Sequence, residues 1–292
     1  MNTPRKCWCG NADLLPFGAG YGKCGRCGTL VSLAPVSADQ FIVRDDDKDF
    51  YGKGYWLERQ AKRGYPPIDV RARNDLTDRN LHWLELLLKY RLPPATVLDA
   101  GCAHGSFVAL MRQAGYQASG IEMSPWVVNF GQTSFAAPIQ VGTVETIDLP
   151  PSSLDVLVLM DVIEHLSDPA TAISRCLELL KPDGFLLIQT PCFYESYNFD
   201  ALVESNSSFL EMLIPDEHIY LFGRRSLTAL LQSAGATQVS FEPHIFPYDM
   251  LLVAGREPHR LNARATIESA LLASPGGRVA LALLDIRERE LA

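Results

Sequence analysis

Short apolar runs alternate with longer segments of helical periodicity through the middle of the chain. The first run, Thr96 to Leu98, follows a Pro-Pro pair and ends at Asp99, a pattern typical of a buried parallel strand. A helix is predicted to begin at Phe107–Met111, and later apolar runs predict strands at 119–122, 139–145, 154–160 and 185–191. Strands that alternate with helices indicate an α/β domain with a doubly wound, mostly parallel sheet.

The flanking segments predict the remaining elements. Apolar positions at helical spacing predict one amphipathic helix over residues 71–90, before the first strand. After the fifth strand we expect a helix over 225–234, antiparallel strands near 238–241 and 249–254, and helices over 263–273 and 279–291. Pro275, Gly276 and Gly277 are predicted to separate the last two helices. The charged face of the last helix predicts contact with a partner subunit.

Composition and charge narrow the function class. At 292 residues the chain is long enough for one α/β domain and a small accessory segment. With 26 basic and 34 acidic residues, its net charge of −8 argues against a general nucleic-acid binder. No apolar run approaches the roughly 20 residues of a membrane span, and no apolar signal core is seen at the N-terminus. We therefore expect a cytoplasmic protein.

Four of the seven cysteines form two close pairs near the N-terminus. Cys7 and Cys9 are separated by one residue, and Cys24 and Cys27 are separated by two. Fourteen residues lie between Cys9 and Cys24. A glycine follows each pair and allows the turn that points backbone amides at thiolates, so the pattern predicts a tetrahedral structural zinc site. Four thiolates leave no open position for catalysis. The alternative is four reduced cysteines in a small core.

An acidic run and an aromatic stretch follow the cysteines. Residues 35–49 form a linker whose acidic run, 45–49, is expected to face solvent. Residues 50–59 combine aromatic side chains with two glycines and an arginine. This composition predicts either a mobile lid over a pocket or a local cap on the main domain, and the sequence favours neither.

A glycine turn follows the first strand, in the pattern Asp-x-Gly-x-x-x-Gly formed by Asp99, Gly101 and Gly105. A dinucleotide-binding fingerprint needs a glycine where this chain has Ala103, so a pyrophosphate cradle is not expected. Glu122 ends the second strand, where a carboxylate can accept hydrogen bonds from both ribose hydroxyls; the alternative is a surface carboxylate. The turn resembles the first motif of class I S-adenosylmethionine-dependent methyltransferases.

Further motifs extend this resemblance across residues 96–191. The third-strand region leads to Thr143 and Val144, the fourth strand leads to Asp161, and a turn at 181–184 precedes the fifth strand. The resemblance implies a seven-stranded Rossmann-like sheet and S-adenosylmethionine as cofactor. It also implies a set of cofactor contacts, namely Asp99, Gly101, Gly105, Glu122, Met123, Thr143, Val144, Met160 and Asp161.

The cysteine pairs make the chain similar to zinc-knuckle-bearing bacterial methyltransferases of sugar and polysaccharide pathways. Among these, the deoxysugar 3-C-methyltransferases have a Tyr-x-Glu-His run, whereas this chain reads Pro215, Asp216, Glu217, His218. Because the tyrosine is replaced, we expect O-methylation of a hydroxyl of a sugar, nucleotide-sugar or surface glycan. The alternatives are sugar C-methylation, RNA methylation, and a non-catalytic zinc-ribbon interaction protein on a degenerate methyltransferase fold.

Two histidines are candidates for the acceptor's proton. We predict His218 as general base, with Glu217 or His165 orienting it or the substrate, because the ordinary imidazole pKa of about 6.5 lies near working pH. Asp161, Glu164 and His165 also resemble the Glu-x-x-Glu-His run of ubiquinone-biosynthesis and small-RNA 2′-O-methyltransferases. In those enzymes the run, joined by a later histidine in the latter group, holds a divalent metal that activates the hydroxyl. The alternative is therefore a magnesium site at these residues, or a structural His165 with Glu164 on the surface.

These features divide the chain into four predicted parts. A zinc-knuckle segment covers 1–36, and a linker with a helical cap covers 37–94. The methyltransferase core covers 95–256 and contains a substrate insertion at about 192–216. C-terminal helices cover 257–292.

Overall fold

The computed structural model describes residues 5–35 and 41–291. These residues form two compact units. One unit contains residues 5–35, 159–178 and 185–257, and the other contains residues 41–158, 179–184 and 258–291. The predicted boundary between residues 36 and 37 lies outside the described residues. The four predicted domain limits remain predictions.

Eleven strands among the described residues form two sheets. They are β1 (Leu14–Gly18), β2 (Tyr21–Cys24), β3 (Leu30–Ser32), β4 (Thr96–Ala100), β5 (Gln117–Glu122), β6 (Ile139–Val141), β7 (Leu154–Met160), β8 (Leu180–Pro191), β9 (Tyr220–Leu221), β10 (Gln238–Glu242) and β11 (Asp249–Gly255). The larger sheet has the order β10-β11-β8-β7-β4-β5-β6, and the smaller has the order β1-β2-β3-β9. Strand β4 runs parallel to β5 and β7, whereas β11 is antiparallel to β8 and β10. The predicted α/β class with a seven-stranded, mostly parallel sheet is confirmed.

The described helices follow the predicted order. They are α1 (Gln60–Lys62), α2 (Ile68–Asp75), α3 (Leu81–Tyr90), α4 (Ser106–Gln113), α5 (Pro125–Phe135), α6 (Pro169–Leu179), α7 (Phe199–Glu204), α8 (Arg224–Ser233), α9 (Arg264–Leu272) and α10 (Pro275–Leu291). A π-helical turn at Leu76–Asn80 joins α2 to α3, and together these replace the single helix predicted over 71–90. A second π-helical turn covers Tyr55–Arg59, and single 3-10 turns cover Ile163–His165 and Ser208–Met212.

The unit that holds the cysteines is built around the smaller sheet. All of its strand pairs are antiparallel, and β3 pairs with β9 rather than ending the sheet. The predicted substrate insertion contributes α7 and the turn at Ser208–Met212 to the same core. That core consists of six buried side chains, Tyr21, Leu30, Phe193, Leu202, Phe209 and Leu221.

The other unit is organised around β4. Asp99 lies in register with Gly120 of β5 and Val158 of β7. Since parallel strands end at the same edge of a sheet, Asp99 and Glu122 both lie at the carboxyl edge, where ligands bind in open α/β sheets. Helix α10 packs on α3 and α4 of its own unit and buries Ala280 and Leu284. The partner contact predicted for this helix remains a prediction.

Two predicted breaks are not breaks in the structure. Residues 181–184, predicted as a turn, belong to strand β8, where Lys181 Nζ lies 2.9 Å from Asp155 Oδ2. At Gly184 a Cβ would lie only 3.0 Å from backbone oxygens of β7, so the glycine allows the strands to approach. Pro275 begins α10 instead of separating two helices. A proline at the first helical position costs nothing because its missing N–H would have had no helical partner there.

Candidate active site

The glycine turn leaves β4 through a run of left-handed backbone. Gly101, Ala103 and Gly105 have φ angles of 78°, 49° and 74°, and α4 begins directly afterwards. A Cβ at Gly105 would lie 2.4 Å from Cδ1 of Ile139, so this position needs glycine for space as well as for φ. The turn therefore brings the main chain of residues 101–105 to the edge of the sheet.

Glu122 holds this turn from the side of β5. Its Oε2 accepts a hydrogen bond from the backbone N–H of Ala103 at 3.2 Å. Its Oε1 accepts from the backbone N–H groups of Met123 at 2.8 Å and Ser124 at 3.2 Å. The side chain is buried, which corrects the alternative of a surface carboxylate. A carboxylate offers about four lone-pair positions, so one position remains for a ligand hydroxyl.

Asp99 is the second buried carboxyl group at this edge. It is only 3% exposed. Burial, and the negative charge of Glu122, raise the pKa of Asp99 to about 7. An adjacent cation would favour the ionised form of Asp99 and offset the free-energy cost of its burial beside Glu122. The position therefore suits a positively charged ligand.

A buried polar cluster also holds the turn in place. His104 Nε2 lies 3.0 Å from Asp75 Oδ2, and Asn80 Nδ2 donates to Ser106 Oγ at 2.7 Å. Burial lowers the pKa of His104 despite this carboxylate, so the ring is neutral and donates from Nε2. Burial alone would raise the pKa of Asp75, but the His104 hydrogen bond and the charges of Arg79 and Arg71 outweigh it and lower the pKa. The side chains from α2 and the π-helical turn therefore fix the residues on either side of Gly105.

Asp46 connects the acidic segment to the same site. Its Oδ1 accepts from Ser124 Oγ at 2.7 Å, and its Oδ2 accepts from the Trp126 backbone N–H at 2.9 Å. The prediction of a solvated acidic run is therefore wrong for this residue, because its carboxylate caps the N-terminus of α5. A negative charge is favourable there since the first N–H groups of a helix lack helical partners.

The other predicted cofactor residues divide between the two units. Thr143 donates its backbone N–H to Thr146 Oγ1 at 3.0 Å, and Val144 is buried. Met160 and Asp161 belong to the unit that holds the cysteines. Asp161 has a left-handed backbone, with φ at 56°, and its Oδ1 accepts from Gln189 Nε2 at 3.1 Å.

Glu164, His165 and His218 come together in the cysteine-bearing unit, with ligand atoms within 4.8 Å of one another. His165 Nδ1 lies 3.0 Å from the Glu217 carbonyl oxygen, and His218 Nδ1 lies 2.7 Å from that of Met212. Because a carbonyl oxygen only accepts, each Nδ1 carries a proton, and the lone pair of each neutral ring is on Nε2. The ring centroids are 4.9 Å apart.

Glu164 is the buried carboxyl group of this cluster, at 1% exposure. Its Oε2 accepts from Thr190 Oγ1 at 2.9 Å, and its Oε1 lies 3.9 Å from His165 Nε2. Burial, and the charge of Asp161, raise the pKa of Glu164 well above its ordinary value. The alternative that placed Glu164 on the surface is therefore wrong. Burial therefore disfavours the ionised form of Glu164, and a cation or an imidazolium beside it would favour that form.

The four N-terminal cysteines converge at one point. All four Sγ atoms lie within 4.8 Å of one another, with Cys7 to Cys27 at 3.4 Å and Cys9 to Cys24 at 3.6 Å. A tetrahedral ion with Zn–S bonds of about 2.3 Å separates its sulfur atoms by roughly 3.8 Å, so the donor set fits zinc. The hydrogen bond with Cys7 lowers the pKa of Cys27 to about 5. The glycines after the two pairs, Gly10 and Gly28, have φ angles of 80° and 83°, as the knuckle pattern requires.

The family model of a methyltransferase domain matches residues 72–240, which is more than half of the chain. This chain belongs to that methyltransferase family. The match confirms the prediction of an enzyme that uses S-adenosylmethionine.

Curated relatives match the methyltransferase over part of its length. A ubiquinone biosynthesis O-methyltransferase of Xanthomonas campestris pv. campestris (strain B100) is 34% identical over 105 residues, which cover 34% of this chain and 44% of that protein. One of the same name from Xanthomonas euvesicatoria pv. vesicatoria (strain 85-10) is 33% identical over 160 residues, covering 50% and 64%. The chain therefore spans less than two thirds of the length of these relatives.

A solved structure shares the fold. The PH0226 protein from Pyrococcus horikoshii OT3 superposes with a TM-score of 0.51 at 17% identity, over 70% of this chain and 96% of that one. At this identity the likeness concerns the fold alone. Among the described residues, no helix of the methyltransferase is long and apolar enough to cross a membrane.

The residues of the turn fit S-adenosylmethionine. The turn brings the Ala103 main chain against Glu122, Glu122 retains an acceptor position for a hydroxyl, and Asp99 suits a cation. When bound, this cofactor supplies an electrophilic methyl group on a positively charged sulfur. The individual contacts implied by the resemblance remain predictions.

Several supporting residues were not predicted from the methyltransferase sequence. Asp46 and Asp75 belong to no motif, and His104 occupies a variable position of the glycine motif. The sequence signal for Asp46 was only its place in an acidic run. The carbonyl groups that orient the two histidines belong to Met212 and Glu217. A backbone contact of this kind leaves no trace in residue type, so pattern analysis cannot find it.

Proposed function

We propose that this methyltransferase O-methylates a hydroxyl of a sugar, nucleotide-sugar or surface glycan in polysaccharide biosynthesis, in the cytoplasm, by general-base-assisted in-line transfer. Relatives named as O-methyltransferases support oxygen as the acceptor atom. The cysteine pairs ahead of the fold support the sugar class through the resemblance described above.

The main support for the proposal is the position of the proton on the two imidazole rings. Each Nδ1 is bonded to a backbone carbonyl oxygen, so each neutral ring can accept a proton at Nε2. A sugar hydroxyl is a weak nucleophile near neutral pH, and a positioned base accelerates its attack by about 10²–10⁴-fold. We assign proton acceptance to Nε2 of His218, while His165, held by the Glu217 carbonyl, orients the base or the acceptor.

Replacement of His218 by asparagine tests this assignment. The asparagine amide can still donate to the Met212 carbonyl but cannot accept the proton, so kcat should fall at least about 10²-fold while the S-adenosylmethionine Kd is unchanged. His244→Asn, a change at a histidine outside the cluster, should keep kcat within about twofold. Near-normal turnover of His218→Asn would refute the assignment.

A metal-dependent reaction is the competing chemistry for the same residues. Ligand atoms of Glu164, His165 and His218 lie within 4.8 Å of one another, a spacing that one divalent cation could bridge. Asp161, Glu164, His165 and His218 would hold a magnesium ion, which would acidify the acceptor hydroxyl. General-base catalysis predicts full activity in a chelator and a Glu164→Gln variant within about fivefold of wild type. Activity lost in chelator, restored by magnesium and abolished by Glu164→Gln would move the chemistry to the metal.

The acceptor class is tested by release of S-adenosylhomocysteine. The panel contains nucleotide sugars, surface glycans, a phenolic ubiquinone precursor and RNA, since relatives are named for ubiquinone biosynthesis. Turnover restricted to the nucleotide sugars and glycans supports the proposal. Turnover of the phenol or of RNA would show that the acceptor is of that class instead. Absence of S-adenosylmethionine binding by calorimetry would favour a non-catalytic scaffold.

We also propose a structural zinc ion on Cys7, Cys9, Cys24 and Cys27. The sulfur spacing supports it, and four thiolates would complete the tetrahedron, so the ion would stabilise the segment and take no part in catalysis. We further propose that the insertion at about 192–216 contributes to substrate binding. The C-terminal helices are proposed to contact a partner.

A further inference from the structure

The strand that follows His218 is part of the cysteine-bearing sheet. Leu30 pairs with Leu221 and Val31 pairs with Tyr220, so β9 is the fourth strand beside β3. The pairing continues past the strand end, because the Ser32 backbone N–H donates to the Ile219 carbonyl at 2.9 Å. The main chain directly after His218 is therefore fixed by the N-terminal segment.

Side chains of the same sheet hold the turn that carries His218. The Tyr21 hydroxyl donates to the carbonyl oxygen of His218 itself at 2.9 Å, and Tyr21 is 1% exposed. The Ser32 hydroxyl donates to the carbonyl oxygen of Pro215. Two hydroxyl groups from the N-terminal segment thus donate to the buried carbonyl group of His218 and the half-buried carbonyl group of Pro215.

These contacts lead directly to the cysteines. Tyr21 begins β2, and Cys24 ends it. The Cys24 backbone N–H donates to the Thr29 carbonyl at 2.9 Å, and Thr29 Oγ1 lies 3.2 Å from Cys27 Sγ. Tyr220 of β9 donates its hydroxyl to the carbonyl of Lys6, next to Cys7, at 3.3 Å. Hydrogen bonds therefore connect the cysteine cluster to β2, which carries Tyr21, and to β9, which follows the turn.

We propose that the cysteine-bearing sheet is a positioning device for His218, and that the Tyr21 hydroxyl is its principal contact. This inference rests on the proposed role of His218 as base. A base must stand within hydrogen-bond reach of the acceptor hydroxyl, and a displacement of about 1 Å can cost about 10²-fold in rate. The N-terminal segment then acts on turnover and not on cofactor binding.

Tyr21→Phe, made in the whole 292-residue chain, tests the proposal. Loss of the hydroxyl should lower kcat by about tenfold with the S-adenosylmethionine Kd and the zinc content unchanged. Ser32→Ala should act in the same direction and provides a second variant if Tyr21→Phe fails to fold. Tyr116→Phe is the matched control, because Tyr116 is also a buried tyrosine whose hydroxyl donates to a backbone carbonyl, that of Arg91 at 2.6 Å, in the other unit. It should leave kcat within about twofold.

A double-variant cycle separates positioning from general loss of stability. If Tyr21 acts through the imidazole, Tyr21→Phe should lower kcat by about tenfold in the wild type and by less than about twofold in the His218→Asn background. An equal decrease in both backgrounds, or normal kcat in Tyr21→Phe, would overturn the inference. Normal turnover of His218→Asn alone would instead show that the proposed base is wrong, so the two failures are distinguishable.

Discussion

Asp99 and Glu122 place two carboxyl groups at the ends of adjacent parallel strands, and both are buried. Burial raises the pKa of Glu122 despite its three backbone N–H donors, and burial together with the charge of Glu122 raises the pKa of Asp99 to about 7. The ionised form of Asp99 therefore destabilises the fold at the position where a cationic cofactor is expected. Such a conflict between stability and ligand binding is common at functional sites.

The Asp99→Asn variant should be more stable but bind cofactor less well. A carboxyl group whose folded pKa is raised contributes stability that is fully present below its unfolded pKa of about 3.9 and is lost as pH rises through about 7. Removing the charge should therefore raise the unfolding free energy at pH 8 by up to about 4 kcal/mol and change little at pH 4. S-adenosylmethionine affinity should fall at least about tenfold.

Urea unfolding at the two pH values and calorimetry with the cofactor measure these effects. Asp148→Asn, at an exposed aspartate of the same unit, is the control and should alter neither quantity. Equal stability of Asp99→Asn and wild type at pH 8 would contradict the assigned electrostatics.

At the scale of single residues, the sequence predicted the residues that belong to a motif but not the side chains that they contact. Asp99 and Glu122 were predictable because each ends an apolar strand, and strand ends meet at one edge. His104 lies inside the glycine motif, yet its partner Asp75 is on a helix 29 residues earlier, and their contact depends on how that helix packs.

Among the elements, α5 is capped from outside its own sequence. Ser124 Oγ accepts from the Val127 backbone N–H at 3.4 Å and donates to Asp46, while the Asp46 carboxylate also takes the Trp126 N–H. The aromatic stretch beyond Asp46 packs on itself, with Phe50 and Tyr51 at a centroid distance of 4.8 Å. Asp46 therefore ties this stretch to the helix that follows Glu122, which favours a local cap over a mobile lid.

Asp46→Ala should loosen both ends of this connection. Loss of a helix cap costs about 0.5–2 kcal/mol, and the released segment should be cut more readily by protease at residues 41–64. Cofactor affinity should decrease several-fold because Ser124 also donates its N–H to Glu122. Limited proteolysis and calorimetry measure the change, with Asp47→Ala at the exposed neighbour as control. Identical cleavage of both variants would argue against the connection.

Element type was predictable from the sequence where one face or one run was strongly apolar. Strand β7 was predicted with its observed limits because all seven residues except Asp155 are apolar. The errors concern glycine and proline: Gly184, Gly276 and Gly277 resemble breaks in sequence but serve close packing in the structure. Glycine has both uses, and only the neighbouring backbone distinguishes them.

At the scale of the whole molecule, two units are each assembled from three separate parts of the chain. The N-terminal segment and the turn of His218 share one core, so metal binding at the cysteines should stabilise more than the first 36 residues. The purified protein should contain about one equivalent of zinc, and Cys24→Ser should abolish it and lower the Tm, since structural zinc contributes folding free energy. Cys176→Ser, at a buried cysteine outside the cluster, should retain the zinc. Metal analysis without zinc in unchelated protein would end this interpretation.

The sequence could not predict that assembly. Cysteine spacing predicts a local cluster, and strand periodicity predicts a larger sheet, but the partner of a short strand such as β9 has no signature in two residues. The predicted boundaries followed composition along the chain, whereas the units follow contacts between distant segments.

The pairing of β3 with β9 also has a consequence during protein synthesis. Their paired residues are about 190 positions apart, and a ribosome adding roughly 5–20 residues per second needs about 10–40 s to cover that distance. During this interval β1, β2 and β3 can form a hairpin sheet, but the outer edge of β3 has no strand to pair with, and such edges promote association between chains. Early binding of zinc by the nascent cysteines would order that sheet before β9 is synthesised. The zinc supply during translation should therefore influence the yield of soluble protein.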